Sequence, residues 1–374
     1  MSKRVLYVAT VVKAHIMSFH IPYLKMFKDL GWHTAVAAHN DYEDPSECNI
    51  PHCDDYHDIA FERFPLKWAN IRAYRELKKI IAEGEYDIIH CHTPVAAMLT
   101  RFAARKVRKQ GTKVFYTAHG FHFFKGAPLL NWLVYFPVEW LCSFMTDTLI
   151  TINKEDYALA QRHMHAKKVE YVPGVGIDTE RYANADCDRT EVRRSIGVPE
   201  NAVMLLSVGE LNENKNHQII IKAMSRLREM DYLHYVLVGI GPKAEQLIAQ
   251  AHELGLGDRV HLLGYRTDIP ELNKAADIFC FPSHREGLGL AALEAMAAGV
   301  PLVTSNVHGI NDYSENGITG FKCNADDAAG FAVAIEKLYE DENLRGQISN
   351  HVREIAKKYD VRNALKIMEE FYRE

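Results

Sequence analysis

Two glutamates, Glu286 and Glu294, are eight positions apart in the stretch HREGLGLAALEAMAAG at residues 284–299. Glycines follow the first glutamate, and an alanine-rich, helix-favouring run surrounds the second. If the helix begins near Leu288, its unpaired backbone N–H groups offer a site for an anion such as a diphosphate. Eight residues of helix separate the carboxylates by roughly 12 Å, which is too far for one shared acid–base step. The spacing predicts contacts to two points of one long ligand, such as the two sugars of a nucleotide-sugar. A helix cap plus a structural glutamate remains the alternative.

A lysine and several histidines lie near the ends of predicted strands. Lys215 follows the strand predicted within AVMLLSVGEL (202–211), and its position alone favours a solvated loop lysine. His119 lies in the strand-ending segment TAHG, where doubly wound sheets bind their ligands. His92 ends a similar strand, and His15 and His122 lie in predicted loops. The alternative for the histidines is that they belong to a packed core.

The bulk composition describes a globular protein. A length of 374 residues favours two domains, and 48% hydrophobic with 25% charged residues supplies enough apolar material for their cores. No apolar run reaches the roughly 20 residues of a membrane-spanning helix. The first residues lack a signal-peptide pattern, so we expect a cytoplasmic protein. Seven scattered cysteines argue against a disulfide framework.

One window combines cysteines with histidines. The segment ECNIPHCDDYH contains Cys48, His52, Cys53 and His57, which would supply enough ligands for zinc. It has no CxxC pair, and it leads into a strand expected around Ile59–Phe61. Free thiols in a loop are therefore the favoured interpretation, with a zinc site as the alternative.

The positive charge is concentrated in the first half of the chain. Residues 1–180 contain 22 Lys/Arg and 20 Asp/Glu, against 22 and 29 in residues 181–374, which gives net charges of +2 and −7. The run RFAARKVRKQGTK (101–113) has no acidic residue, and its central basic side chains face either solvent or anionic lipid: Arg105, Lys106, Arg108 and Lys109. The acidic chain as a whole argues against nucleic acid as a partner.

An aromatic-rich segment follows the basic run. Residues 121–145, FHFFKGAPLLNWLVYFPVEWLCSFM, contain closely spaced Phe, Trp and Tyr side chains. They predict a pair of core helices. The alternative is one helix that lies in the membrane interface beside the basic run.

Short apolar strands alternate with amphipathic helices along the whole chain. Strands are predicted within 5–12, 33–40, 86–92, 113–120 and 147–153, and the pattern restarts after the turn-rich segment 171–182. This alternation predicts an α/β fold with two doubly wound parallel sheets. We expect one domain in residues 1–185 and another in 186–355. A C-terminal helix in 356–374 is expected to pack back on the first domain.

The second half resembles the family-4 retaining glycosyltransferases. The segments that carry the resemblance are E-GLGLAAL-E-AMAAGVP, VPGVGIDTERY, SVGELNENKN, LVGIGP and ADIFCFPS. Segments of the first half, such as AHIMSFHIPYLKMFKDLGW, YDIIHCHTP and TAHGFHFFKGAPLLNW, resemble the bacterial exopolysaccharide and capsule branch, including enzymes of biofilm synthesis. The resemblance runs essentially from end to end. It implies the GT-B fold, in which two Rossmann-like doubly wound parallel-sheet domains face a central cleft.

This resemblance also implies a reaction. A sugar would pass, with retention of configuration, from a UDP-sugar to a polyprenyl-diphosphate-linked saccharide, without a metal or other cofactor. Glu286 would bind donor-sugar hydroxyls, Glu294 the ribose and Lys215 the diphosphate, while His119 would face the reaction centre. The implied donor-binding positions are Gly209, Glu210, Lys215, Glu286, Gly287, Leu288, Gly289, Leu290 and Glu294. The implied acceptor-side positions are His15, His92 and His122, and a peripheral contact with the inner face of the plasma membrane would bring the enzyme to its acceptor.

One position departs from the family pattern. Glu210 stands where the family often has Arg, which removes an expected cation near the diphosphate. A catalytically silent scaffold of a polysaccharide assembly complex is therefore an alternative function. A sugar-nucleotide epimerase of the same fold is the other, although the two-glutamate signature and the VPGVGIDTERY segment argue against it.

Overall fold

The chain divides into two compact units. The computed structural model describes residues 2–62, 64 and 67–373. The first unit comprises Met1–Val175 with Ala364–Glu374, and the second comprises Gly176–Asn363. The predicted boundary at residue 185 differs from this division, because the segment after Val175 packs within the second unit. Gly176 has φ +86°, and a Cβ placed on it would lie 2.3 Å from the Cα of Val361, so this close approach requires glycine.

The first unit contains seven parallel strands. They are β1 (Arg4–Val11), β2 (His33–His39), β3 (Asp55–Asp58), β4 (Ile88–His92), β5 (Lys113–Ala118), β6 (Thr148–Thr151) and β7 (Lys168–Tyr171). Their order in the sheet is β3-β2-β1-β4-β5-β6-β7. β1 is fully buried from Val5 to Ala9, as expected for a central strand with both faces covered. The strand predicted at Ile59–Phe61 is wrong, since β3 ends at Asp58.

Helices follow these strands in the order that the sequence predicts. They are α1 (Met17–Phe19), α2 (Ile21–Asp29), α3 (Ala69–Glu83), α4 (Pro94–Ala103), α5 (Arg105–Arg108), α6 (Leu129–Ser143) and α7 (Lys154–His163). A π-helical turn, Val12–Ile16, connects β1 to α1. The core helix pair predicted for residues 121–145 is wrong, because only α6 forms there. Phe121 and Phe123 precede α6 in a buried, non-helical segment.

The second unit repeats this architecture with six parallel strands. They are β8 (Val203–Val208), β9 (Leu233–Val238), β10 (Val260–Leu262), β11 (Ile278–Phe281), β12 (Leu302–Ser305) and β13 (Gly320–Cys323), in the order β10-β9-β8-β11-β12-β13. Its helices are α8 (Thr179–Ala183), α9 (Arg189–Ser195), α10 (Gln218–Met224), α11 (Ala244–Glu253), α12 (Ile269–Ala275), α13 (Leu290–Ala298), α14 (Ala328–Glu340) and α15 (Glu342–Ala356). The predicted fold class, two Rossmann-like doubly wound parallel sheets, is confirmed.

The last helix, α16 (Val361–Arg373), supplies the final residues of the first unit. The hydroxyl of Tyr372 is 2.8 Å from that of Tyr7 and 2.6 Å from Nδ1 of His90. The segment that joins the first unit begins at Ala364, later than the predicted residue 356. Within the described ranges, no helix has the length and apolar character needed to span a membrane.

In each sheet the strand order reverses at one place. This switch lies between β1 and β4 in the first unit and between β8 and β11 in the second. Ligands of open α/β sheets bind beside the carboxyl ends of the strands at such a switch. The predicted site residues follow β1, β4 and β5 in the first unit, and β8 and β11 in the second.

Candidate active site

An ion pair connects the loops that follow β8 and β11. Nζ of Lys215 is 2.6 Å from Oε1 of Glu286, and the two side chains are only 21% and 12% exposed. The lysine ammonium also lies 5.1 Å from the ring centroid of Phe281, the last residue of β11. The structure thus brings together two of the three predicted catalytic residues at the switch point of the second sheet.

Backbone and amide hydrogen bonds hold these two loops together. The side chain of Asn214 donates to the carbonyl of Arg285 (3.0 Å), and the N–H of His284 donates to the carbonyl of Asn214 (2.8 Å). Asn216, which has φ +53°, donates its amide to the carbonyls of Pro282 and Ala325. Lys215 therefore projects from a loop fixed on both sides, so its position is set before any ligand binds.

Helix α13 begins two residues later than predicted. Its first residue is Leu290, and Gly289 precedes it with φ +89°. No side chain in the described part of the chain caps this helix, so its N-terminus remains suited to an anion. A Cβ on Gly289 would lie 2.5 Å from the ring of Phe281, so a larger residue would displace this turn. The predicted anion-binding segment is Gly287–Leu290. Within it, the side chain of Leu288 is buried.

Glu294 lies one turn into α13 and contacts a residue that the sequence did not single out. The hydroxyl of Tyr182, from α8, donates to its carboxylate. Burial is the main cause that raises the pKa of Glu294, against the opposing effects of this hydrogen bond and of Arg181. Tyr182 belongs to the segment VPGVGIDTERY, and that motif was the signal that could have identified it.

Gly209 and Glu210 form the end of β8 and the turn after it. A Cβ on Gly239 would lie 1.9 Å from the carbonyl oxygen of Gly209, so the ends of β8 and β9 approach closely. The side chain of Glu210 is exposed, and its carbonyl accepts hydrogen bonds from the N–H of Asn212 and from His217. Glu210, the residue that departs from the family pattern, therefore contributes backbone contacts to the loop that carries Lys215.

Four histidines converge at the switch point of the first sheet. His15, His20, His92 and His119 each place one ring nitrogen within 4.8 Å of the nitrogens of the others. Nδ1 of His92 is 3.2 Å from Nε2 of His119. We call these four residues the histidine cluster. Three of them are predicted site residues. His20 was missed, because its segment HIPYL is typical of a helix start.

The histidine cluster is uncharged at neutral pH. Burial is the largest cause for all four rings, and it lowers the pKa of His119 to about 4. The pKa values of His15, His20 and His92 lie well below the usual range, and mutual repulsion between the rings lowers them further. Neutral imidazoles can donate and accept hydrogen bonds or bind a metal ion.

His122 lies outside the cluster and lines a larger cavity. Its ring stacks on Tyr135, with centroids 4.5 Å apart. The cavity has a volume of about 490 Å³, and its lining is mainly apolar. Side chains that line it include Val11, Val95, Met98, Val134 and Val138, with His15 at one side. Two of the predicted acceptor-side residues, His15 and His122, therefore line one cavity.

The basic run does not form one exposed face. Arg105, Lys106 and Lys109 are exposed as predicted. Arg108 instead pairs with Asp147 at 2.9 Å and donates to the carbonyl of Phe144, so its prediction as a membrane-facing residue is wrong. A local sequence window could not show this pairing, because Asp147 lies 39 positions further along the chain.

Arg101 begins the same run and is buried. Its guanidinium donates to Glu139 at 2.8 Å and lies 4.1 Å from the ring centroid of Tyr116.

Within the described residues, the histidine cluster is the only group of potential metal ligands, and Cys48, His52, Cys53 and His57 do not form one. All seven cysteines are free thiols.

One side of α6 is apolar and exposed. Leu129, Leu130 and Leu133 are 73%, 68% and 66% exposed. The face continues at helical spacing through the half-exposed side chains of Val134, Val138, Leu141 and Phe144. We call it the apolar face of α6. The hydrogen bond from Arg108 to the carbonyl of Phe144 places the basic turn α5 beside the C-terminal end of this face.

Comparison with known proteins identifies the family of this chain. A family model described as "Glycosyltransferase Family 4" matches residues 23–181, and one described as "Glycosyl transferases group 1" matches residues 188–355. The Bacillus subtilis (strain 168) protein that carries the name glycosyltransferase EpsD is 39% identical over the whole chain and 97% of its own length. This chain belongs to the glycosyltransferases of the GT-B fold.

One further sequence relative and one solved structure are similar to this glycosyltransferase. The Escherichia coli protein named UDP-Gal:alpha-D-GlcNAc-diphosphoundecaprenol alpha-1,3-galactosyltransferase is 29% identical over 82% of both chains. The crystal structure of Anabaena HepE in complex with UDP and glucose superposes with a TM-score of 0.81, covering 99% of both chains at 22% identity. At that identity the superposition shows the shared fold. In this family setting, the Lys215–Glu286 pair and the N-terminus of α13 form the candidate donor site.

Proposed function

We propose that this glycosyltransferase moves a sugar from a UDP-sugar to a lipid-linked saccharide during exopolysaccharide synthesis. HepE was crystallised with UDP and glucose, and the E. coli relative uses, by its name, a UDP-sugar and a diphosphoundecaprenol-linked acceptor. The resemblance of the first-half segments to the exopolysaccharide branch supports the pathway. We further propose that configuration is retained and that the transfer step needs no metal.

The observation that carries this proposal is the Lys215–Glu286 pair beside the uncapped N-terminus of α13. Departure of UDP builds negative charge on the diphosphate. A fixed ammonium and the backbone N–H groups of the helix stabilise that charge in the transition state. When Lys215 turns to the diphosphate, the carboxylate of Glu286 is released to accept hydrogen bonds from sugar hydroxyls.

Glu294 has a different role in the proposed donor site. Its carboxyl group is held by Tyr182 on the same helix that begins at the anion-binding turn. A carboxyl so placed can bind the two hydroxyls of a ribose, in either its protonated or its ionised form. The donor is then held at its sugar by Glu286, at its diphosphate by Lys215 and α13, and at its ribose by Glu294.

The first unit has features that fit a lipid-linked acceptor. The apolar cavity of about 490 Å³ is lined by Val134 and Val138, which also belong to the apolar face of α6. An exposed apolar helix face beside basic side chains is typical of a surface that lies in the membrane interface. We therefore propose a peripheral contact with anionic membrane, through the apolar face and Arg105, Lys106 and Lys109.

Retention is proposed to occur by displacement on one face of the sugar. The histidine cluster at the switch point of the first sheet contains imidazoles and no carboxylate. Without a carboxylate nucleophile, the leaving diphosphate and the incoming hydroxyl share one face of an ion-pair-like transition state. His119 is proposed to interact with the charge that develops on the sugar.

Thermal unfolding of the purified protein with UDP, GDP and ADP and with their sugar conjugates tests the donor. We expect UDP and one UDP-sugar to raise Tm in the presence of EDTA, because a ligand that binds only the folded state stabilises it. The Lys215→Ala/Glu286→Ala variant is the control and should show a smaller shift. Stabilisation by GDP or ADP alone would contradict the UDP assignment, and no shift from any nucleotide would favour the silent-scaffold function.

Product analysis tests the transfer itself. The UDP-sugar that stabilises the protein best is incubated with a short-chain polyprenyl-diphosphate N-acetylglucosamine, and the products are separated by mass and by anomeric NMR signal. A disaccharide with the anomeric configuration of the donor is expected. Inversion of that configuration, or free sugar as the only product, would contradict the proposed reaction.

A further inference from the structure

We propose that the histidine cluster is a binding site for one divalent transition-metal ion of the zinc class. The inference goes beyond the proposed sugar transfer, and it gives His119 a second role, because a ring nitrogen that binds the metal ion is not available to the sugar at the same time. Four imidazoles that place their nitrogens within 4.8 Å of one another match the ligand number and type of a closed tetrahedral zinc site.

The polar atoms of the cluster are poorly satisfied within the protein. Nε2 of His15, His20 and His92 have no hydrogen-bond partner among the described residues, although these side chains are only 9%, 2% and 1% exposed. A buried polar nitrogen without a partner is unfavourable for the folded state. The unpaired nitrogens of His15 and His20 are available to a ligand that the protein itself does not supply, while His92 presents its Nδ1 to His119.

A neighbouring histidine shows what a satisfied ring looks like in the same core. His90 lies beside the cluster, with its ring centroid 4.2 Å from that of His92. Its Nδ1 contacts the hydroxyl of Tyr372 at 2.6 Å, and its Nε2 contacts Oγ1 of Thr117 at 2.8 Å. Burial in this core therefore does not by itself leave a histidine nitrogen unpaired, since both nitrogens of His90 have partners.

The dimensions of the cluster suit a metal ion. A tetrahedral site with Zn–N bonds near 2.0–2.1 Å needs ligand nitrogens roughly 3.4 Å apart. The pair Nδ1 of His92 and Nε2 of His119 is already at 3.2 Å, and the limit of 4.8 Å for the others leaves adjustments of about an ångström.

The backbone supplies the ligands from rigid elements. His92 ends β4, and His119 directly follows β5, the adjacent strand of the sheet. His15 lies in the π-helical turn after β1, a local distortion that is frequent at functional sites. The rings of Tyr7 and His92 stack with centroids 5.5 Å apart, which fixes the orientation of one ligand.

The ligand type decides which cations fit. The cluster offers neutral nitrogen and no oxygen ligand, so magnesium and calcium, which need oxygen ligands, are excluded as its occupants. Imidazole favours zinc, cobalt, nickel and copper ions. A four-imidazole site retains the full positive charge of the ion, so a bound metal would make this part of the first unit electropositive.

The test uses the full chain after EDTA treatment and removal of the chelator. Co²⁺ is titrated while visible absorption is recorded, because tetrahedral Co²⁺ absorbs far more strongly than the hydrated ion. Zn²⁺ is then added to displace it, and Mg²⁺ serves as the negative control. We expect one Co²⁺ bound per chain, its replacement by Zn²⁺ and a higher Tm with Zn²⁺.

Variants identify the ligands. His20→Gln and His92→Gln should each weaken Co²⁺ binding about tenfold or more. The matched control is His234→Gln/His261→Gln, which removes a hydrogen-bonded histidine pair of the second unit (3.0 Å) and should bind like the wild type. Circular dichroism checks the fold, and His119→Gln, at the half-buried member of the cluster, gives a second readout if the buried variants unfold. Absence of the tetrahedral absorption in the wild type, or equal binding by the cluster variants and the wild type, would overturn the proposal.

Discussion

Lys215 and Glu286 form a direct ion pair, with 2.6 Å between the lysine Nζ and the glutamate Oε1. The family resemblance assigns these two side chains separate roles, at the diphosphate and at the donor sugar. The structure shows that they also hold one another, from loops that follow different strands. Each group is therefore positioned by the other, and a donor that binds as proposed has to separate the pair.

Removal of the lysine should mainly slow the chemical step. We expect Lys215→Ala to lower kcat by about 10²- to 10³-fold, the cost of losing one fixed group that stabilises transition-state charge. Steady-state kinetics with the UDP-sugar donor measures the change. The matched control is Lys243→Ala, which breaks the more exposed pair with Glu213 on the same side of the sheet and should leave kcat nearly unchanged. An unchanged kcat in Lys215→Ala would show that α13 alone stabilises the leaving group.

The two members of the pair should not act additively. Glu286→Ala is expected to abolish most transfer, because it removes the carboxylate that is proposed to bind the donor-sugar hydroxyls. The Lys215→Ala/Glu286→Ala variant should lose less activity than the sum of the two single losses, since each single change leaves a partly buried charge unpaired. Full additivity in this double-mutant cycle would contradict a functional coupling between the two residues.

The carboxyl group of Glu294 should make stability depend on pH. Its pKa is raised in the folded state, so the unfolded chain releases this proton first, near the ordinary value of 4.5. Above that pH the unfolded state holds fewer protons, and the free energy of unfolding falls as the pH rises toward the folded pKa. Below about pH 4.5 this contribution is fully retained.

Glu294→Gln removes that dependence. The quantity of interest is the Tm of the variant minus the Tm of the wild type. We expect this difference to be more positive at about pH 8 than at about pH 4.5. Differential scanning calorimetry at both pH values measures the difference. Glu253→Gln, an exposed change on α11, provides the control and should shift Tm equally at both. A Glu294→Gln effect that is the same at both pH values would contradict the raised pKa.

The buried pair of Arg101 and Glu139 should be important for stability. Arg101→Ala leaves the carboxylate of Glu139 buried without its cation, and such changes destabilise proteins by about 3–5 kcal/mol. Replacement of both by Arg101→Met/Glu139→Leu should recover much of this loss. Urea unfolding gives the free energies. The control is Arg105→Ala, at an exposed position four residues further on, which should change the free energy of unfolding by no more than about 0.5 kcal/mol. An equally small effect of Arg101→Ala would contradict the assigned pair.

Membrane binding should depend on three basic residues and on the apolar face of α6. Arg105→Gln/Lys106→Gln/Lys109→Gln is expected to weaken binding to phosphatidylglycerol vesicles roughly 100-fold at low salt, since each basic side chain contributes about 1 kcal/mol. Leu129→Ser/Leu130→Ser/Leu133→Ser should weaken it at all salt concentrations. Sedimentation with vesicles measures both.

A charge-matched control separates this surface from general attraction. Lys25→Gln/Lys78→Gln/Lys79→Gln removes the same charge from exposed positions on α2 and α3. We expect it to change vesicle binding much less. Equal losses in the two triple variants would show that net charge, rather than the surface beside α6, determines the attraction.

Local patterns in the sequence were sufficient for the architecture. Most of the buried strands are short, mainly apolar runs, and they alternate with longer helical stretches, so the two doubly wound sheets followed from short windows. The family motifs pointed to Lys215, Glu286 and His119, and the structure places all three near the carboxyl ends of parallel strands. Polar or half-exposed edge strands such as β3 and β7 carry a weaker pattern and were not predicted.

Contacts between distant parts of the chain decided the rest. No window that contains Arg101 or Arg108 also contains Glu139 or Asp147, so only the folded chain shows that one arginine is buried and the other neutralised. His20 joins His92 and His119 because the turn after β1 carries it to the neighbouring strand ends. The sequence by itself determined which chemistry the chain carries and on which strands, because hydrophobic periodicity is local. The tertiary structure decided which of those side chains meet, because burial and pairing arise only when distant segments pack together.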